Sequence, residues 1–61
     1  MTIEEIRAFC ESHRVEVLLQ TDTQYHCFID YHTGYHRSFG IALNAIDAMI
    51  EGIRTFTQLG Y

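Results

Sequence analysis

Two stretches of alternating residues constrain the fold of this 61-residue chain most strongly: VEVLLQ at 15–20 and YHCFIDYH at 25–32. Both are rich in β-branched and aromatic residues, which is typical of strands. The stretch TDTQ between them has the polar composition of a turn. Together the three segments predict an antiparallel β-hairpin.

The register of this hairpin follows from its apolar positions. We expect Val17 to pair with Ile29 and Leu19 with Cys27, because this register gathers the apolar side chains on one face. The opposite face then carries Glu16, Leu18, Gln20, His26, Phe28, Asp30 and His32, with Leu18 opposite Phe28 and Glu16 opposite Asp30.

Helical patterns flank the hairpin. TIEE at 2–5 matches a capping box that begins a first helix ending near His13. The dipeptide Thr33-Gly34 predicts a tight turn, and YHRSF at 35–39 is a candidate third strand. Ser38 is the expected N-cap of a second helix, whose apolar stripe comprises Phe39, Ala42, Leu43, Ile46, Met49, Ile50, Ile53 and Phe56.

These elements predict a single α+β domain over 1–61, a two-layer sandwich of order α-β-β-(β)-α with an antiparallel sheet and both helices on one face. We expect Val17, Ile29, Ile46 and Ile53 to be buried together. The last helix also carries a run of small residues that predicts close packing, either of the first helix or of a second copy: Ala45, Ala48 and Gly52.

The histidine-rich stretch 25–36 raises the question of a metal or catalytic site. His26 and His32 lie six residues apart in one predicted strand. Their Cα atoms would then be roughly 20 Å apart, because a strand advances about 3.3 Å per residue. The His32–His36 spacing suits zinc only on a helix, and Thr33-Gly34 argues for a turn. We therefore predict no metal and no cofactor. We also predict no enzymatic activity, because the sequence contains no nucleophile elbow and no phosphate-binding glycine loop.

The two cysteines, Cys10 and Cys27, have no metal-ligand spacing. We expect both to be reduced, buried thiols, and a Cys10–Cys27 disulfide is the alternative.

The charge of the chain points to a protein partner. Eight carboxylates and four arginines, without lysine, give a net charge of -4, which disfavours direct nucleic-acid binding and favours a basic protein surface. The start MTIEEIRAF is acidic where a signal peptide is basic, and no apolar run is long enough for a membrane span, so we expect a cytoplasmic protein. It could be a monomer or a homodimer.

The predicted partner-binding residues are an apolar pair and nearby carboxylates on the open sheet face and its turn: Glu16, Leu18, Asp22, Phe28 and Asp30. The acidic helix surface is the alternative site, formed by Glu4, Glu11, Asp47 and Glu51.

Two resemblances suggest what such a module binds. Residues 28–53, FIDYHTGYHRSFGIALNAIDAMIEGI, resemble the N-terminal domains of HicB-like antitoxins through Gly34, Ser38, Ala42, Leu43, Ala45 and Ala48. That resemblance implies a domain that neutralises a protein toxin. By its small size and acidity the chain also resembles phage-encoded anti-defence proteins of the anti-CRISPR type. This second resemblance implies an inhibitor of a nucleic-acid-handling host complex, such as a CRISPR effector, and is our first hypothesis.

Overall fold

The fold is an antiparallel sheet packed against two helices. The computed structural model describes residues 1–30 and 38–60. Its elements, in chain order, are α1 (Ile3–Ser12), β1 (Val15–Leu19), β2 (Tyr25–Ile29), β3 (Ser38–Ala42) and α2 (Ala45–Gln58). The strands form one sheet in the order β1-β2-β3, which confirms the predicted α+β class and element order. The predicted turn at Thr33-Gly34, and with it His32 and His36, lies outside the described residues.

The start of α1 is as predicted. The Thr2 hydroxyl accepts from the Glu5 amide at 3.2 Å, and the Glu5 carboxylate accepts from the Thr2 amide at 3.0 Å. The hydrogen bond from the Thr2 amide is the main cause of a lowered pKa of the Glu5 carboxyl group, since it stabilises the ionised form. The helix ends at Ser12 with His13 as its C-cap, also as predicted.

The strand pairing differs from the prediction by two residues. Val15 pairs with Ile29 and Val17 with Cys27, so Leu19 lies opposite Tyr25. A two-residue shift leaves every side chain on its predicted face, and the period-two pattern therefore could not distinguish the two registers. The turn selects the observed register. The Thr21 hydroxyl accepts a hydrogen bond from the Gln24 amide at 3.0 Å, which keeps the loop between β1 and β2 short.

The beginning of the second helix was predicted wrongly. Ser38 lies in β3, and the N-cap of α2 is Asn44, whose side chain accepts from the Asp47 amide at 2.8 Å. Phe39 and Ala42 are therefore strand residues, and Leu43 lies in the connection to α2. The sequence contained a signal for the true start, since Asn44 followed by Asp47 three residues later is a typical helix beginning.

The core lies between α2 and the sheet and consists of Cys27, Ile29, Phe39, Ile53 and Phe56. Phe56 is central: its ring meets Phe39 edge-on at 5.3 Å between centroids and Phe9 at 5.6 Å. The edge-on geometry suits the aromatic quadrupole. Phe9 places α1 on the same side of the sheet as α2. Ile46 was expected in this core but is 63% exposed, because it lies on a flank of α2.

Helix α2 approaches the sheet most closely at two glycines. A Cβ on Gly40 would lie 2.8 Å from Gly52 Cα and closer still to the Gly52 nitrogen and the Ala48 oxygen. A Cβ on Gly52 would lie 2.5 Å from Cys27 Sγ. The small residues Ala48 and Gly52 thus allow α2 to pack closely against β3 and β2. This corrects the expectation that α1 or a second copy of the chain packs against them.

Candidate functional site

The face of the sheet away from the helices carries a row of three side chains, one from each strand. Leu18 pairs with His26, and His26 pairs with Ile41, so the three lie side by side on one face. We call them the outer row. Leu18 is 47% exposed and Ile41 is 51% exposed, although both are large apolar residues. The outer row is thus an accessible, largely apolar strip across all three strands.

Phe28 extends this surface along β2. Its ring stacks with that of His26, with centroids 6.4 Å apart and an interplanar angle of 25°. Phe28 was predicted to lie opposite Leu18, but its β1 neighbour is Glu16, as the two-residue shift in register requires. Leu18 and Phe28 therefore share the face as diagonal neighbours, beside His26.

His26 carries the most unusual atom of this surface. Its Nε2 is buried and has no hydrogen-bond partner among the described residues. An unpaired buried polar atom costs about 1–3 kcal/mol, so stability alone would favour an apolar side chain here. Buried polar atoms in folded proteins almost always have a hydrogen-bond partner, so His26 Nε2 stands out on this face.

The three acidic residues that were predicted to bind a partner lie in three different environments. Glu16 lies on the outer face, where its carboxylate accepts from Arg14 Nε at 2.9 Å, so part of its charge is compensated. Asp22 is exposed in the β1–β2 turn. Asp30 does not continue the outer face: its backbone takes a φ of 54°, and its carboxylate contacts His13 Nδ1 at 2.8 Å. The predicted pairing of Glu16 with Asp30 therefore does not form, and Glu16 lies opposite Phe28 instead.

Ile41 was missed because the sequence placed it in a helix. The alternation that would have revealed it is brief, since β3 is only SFGIA and contains a glycine. The register between β2 and β3 also shifts between Cys27 and Phe28, which disturbs the pattern further. Residues missed in this way could be found only by recognising Asn44 as the helix N-cap.

The two cysteines have unlike environments. Cys27 is fully buried. Burial raises the pKa of its thiol from 9.0 to about 11, with a smaller contribution from Cys10. The cause is that the thiolate would lose its hydration in the core. Cys10 is exposed on α1, contrary to the expectation of a buried thiol.

Among residues 1–30 and 38–60, no three histidine, cysteine or acidic side chains are grouped as metal ligands. Within the part of the chain that the structure describes, no helix combines the length and apolar character needed to span a membrane.

Comparison with known proteins found no family model, curated protein or solved structure that matches this chain.

Proposed function

We propose that the protein is a non-enzymatic protein-binding module whose outer sheet face docks on a partner. The observation that carries the proposal is that Leu18 and Ile41 of the outer row are about half exposed. A chain this small has few apolar side chains with which to build a core, so their exposure needs a reason other than folding. Apolar side chains at the centre of an interface supply most of its affinity. Phe28 enlarges this anchor on the same face.

The charge of the chain favours a basic partner. The net charge is -4, and Asp22 stands exposed beside the strand end that carries Leu18. Carboxylates near an apolar anchor steer association toward positive surfaces. The partner is then a protein with a basic nucleic-acid-binding surface in the bacterial cytoplasm, and the module acts as its stoichiometric inhibitor.

The first experiment identifies a partner and then tests the face. The immobilised protein captures binding proteins from a bacterial lysate, and each candidate is purified and titrated against variants. Leu18→Ala should accelerate dissociation and weaken binding by roughly 1–3 kcal/mol if Leu18 is an anchor. Leu59→Ala is the matched control, since Leu59 is also 47% exposed but lies at the C-cap of α2.

The second experiment tests the role of charge. Glu16→Gln with Asp22→Asn should slow association and reduce its salt dependence while leaving dissociation nearly unchanged. Glu4→Gln with Glu11→Gln is the control of equal charge on the helix surface. If the helix variant weakens binding and the sheet variant does not, the site is the helix surface.

A competition experiment separates the inhibitor hypothesis from the antitoxin hypothesis. If the partner handles nucleic acid, its own DNA or RNA should compete with this protein for binding. The HicB-like resemblance instead implies a small toxin as partner and no such competition.

A further inference from the structure

Helix α1 is docked far more shallowly than the rest of the fold. None of its residues is buried, whereas α2 contributes Ala48, Gly52, Ile53 and Phe56 to the interior. An isolated helix of this length is marginal in water, so α1 depends on its capping box and its docking. Elements with few buried contacts open at lower free energy than the whole domain does.

The connection between α1 and β1 is held by one residue at the end of β2. The Asp30 carboxylate contacts His13 Nδ1 at 2.8 Å and accepts from the Arg14 amide at 3.0 Å. The Asp30 amide also donates to the Arg14 carbonyl at 2.7 Å. We call this set of contacts the clasp.

The backbone of Asp30 shows that the clasp is a specific arrangement. Asp30 has a φ of 54°. This value lies in the left-handed region, which non-glycine residues seldom adopt and which aspartate tolerates better than most. Such a conformation persists only where surrounding contacts hold it. The contacts with His13 and Arg14 hold it here.

The clasp also orients the ring that joins the two helices. The His13 imidazole stacks on Phe9 with centroids 4.4 Å apart and meets Phe56 edge-on at 5.0 Å. One nitrogen of this ring faces Asp30, so the carboxylate fixes the ring between the two phenylalanines. A loss of the clasp would therefore loosen the docking of α1 on Phe56.

We propose that α1 is a hinged strap that opens as a unit about His13 and Arg14, with the clasp controlling how often it opens. In the open form the ring of Phe56 loses the cover that Phe9 and His13 give it. The proposal concerns the helix side of the sheet and is independent of binding at the outer row.

Native-state hydrogen exchange of the full chain, read residue by residue, tests the strap. In the parent protein the hydrogen-bonded amides of the C-terminal half of α1 should exchange faster than those of β2. Asp30→Gly removes the carboxylate and accommodates the positive φ, so it should accelerate α1 exchange by roughly 3- to 10-fold without accelerating β2.

His13→Phe is the second variant. It keeps a ring between Phe9 and Phe56 and leaves the contacts between Asp30 and Arg14, yet it loses the clasp hydrogen bond to the imidazole, so it should accelerate α1 selectively as well. Glu11→Gln, which changes an exposed carboxylate of α1, should change neither element. The proposal is overturned if α1 and β2 exchange at one common rate in the parent. It is equally overturned if either clasp variant accelerates both elements alike or leaves α1 unchanged.

Discussion

Two adjacent rows of the same sheet show opposite environments. The inner row consists of Val17, Cys27 and Gly40, and the outer row of Leu18, His26 and Ile41. Each member of one row is the chain neighbour of a member of the other. Cys27 is fully buried beneath Gly52, whereas Leu18 and Ile41 are about half exposed.

The difference between the rows separates what the protein needs in order to fold from what is available for binding. The inner row is closed by α2, with no room for one added methyl group at Gly40. The outer row includes two accessible apolar side chains and a buried nitrogen that has no partner in the described part of the chain. We therefore expect substitutions in the inner row to affect stability and those in the outer row to affect binding.

The largest effect is expected at Gly40. Gly40→Ala would drive a methyl group into the backbone of α2, so it should lower the free energy of unfolding by about 3 kcal/mol or more. Urea denaturation measures the change. Ile41→Ala, one residue away in the outer row, is the control and should cost much less. Equal costs at the two positions would contradict the comparison.

The buried thiol of Cys27 predicts a loss of stability in alkali. Its folded-state pKa of about 11 lies above the ordinary value of 9.0, so folding favours the protonated thiol. The stabilisation is therefore complete well below the unfolded-state pKa and is lost as the pH rises through that value and then through the folded-state pKa. We expect a total loss of about 3 kcal/mol once the pH exceeds the folded-state pKa, since the two pKa values differ by two units and each unit corresponds to about 1.4 kcal/mol.

Urea denaturation between neutral pH and pH values near the folded-state pKa checks this decline. The parent and Cys10→Ser should both show it, because the exposed Cys10 thiol is not the group in the core. Cys27→Ala should show much less of it. An equal decline in Cys27→Ala would assign the effect to other groups.

Gly52→Ala tests the close approach of α2 to the Cys27 side chain. Alanine favours a helix by about 1 kcal/mol, but here its methyl group would meet the Cys27 side chain, so we expect a net destabilisation of about 1–2 kcal/mol. Adding Cys27→Ala removes the sulfur and should recover part of the loss, which a double-mutant cycle measures. A stabilised Gly52→Ala protein would show that α2 can move away from the sheet.

A substitution in the outer row should change the free energy of unfolding in the opposite direction. His26→Leu removes the buried Nε2 and should raise the free energy of unfolding by about 1 kcal/mol. The same variant should weaken partner binding if the imidazole takes part in recognition. Thermal denaturation and a binding titration on one preparation would distinguish the two effects, and a destabilised variant would show that the imidazole is needed for the fold.

The smallest effect is expected for Ile41→Gln. The side chain is half exposed on the outer face, so the change in the free energy of unfolding should stay within about 0.5 kcal/mol. Urea denaturation checks this value. A cost similar to that of Gly52→Ala would mean that the outer row supports the fold.

Several local features could be predicted because they depend on neighbouring residues alone. The capping box at Thr2 and Glu5, the alternation of β1 and β2 and the end of α1 at His13 are of this kind. The location of Glu16, Leu18 and Phe28 on one face also follows from alternation, whichever register forms. The sequence by itself therefore determined the element order through β2, the α+β class and most of the candidate face.

Only the tertiary structure decided the rest. The stretch from Phe39 to Ile46 has apolar residues at spacings that suit a helix or a strand, and pairing with β2 selects the strand as far as Ala42. The close contact of Gly40 with Gly52 joins residues twelve positions apart, and the turn at Asp30 depends on His13 and Arg14, about sixteen positions away. Local patterns contain no information about such distant contacts, which form only when the layers pack together.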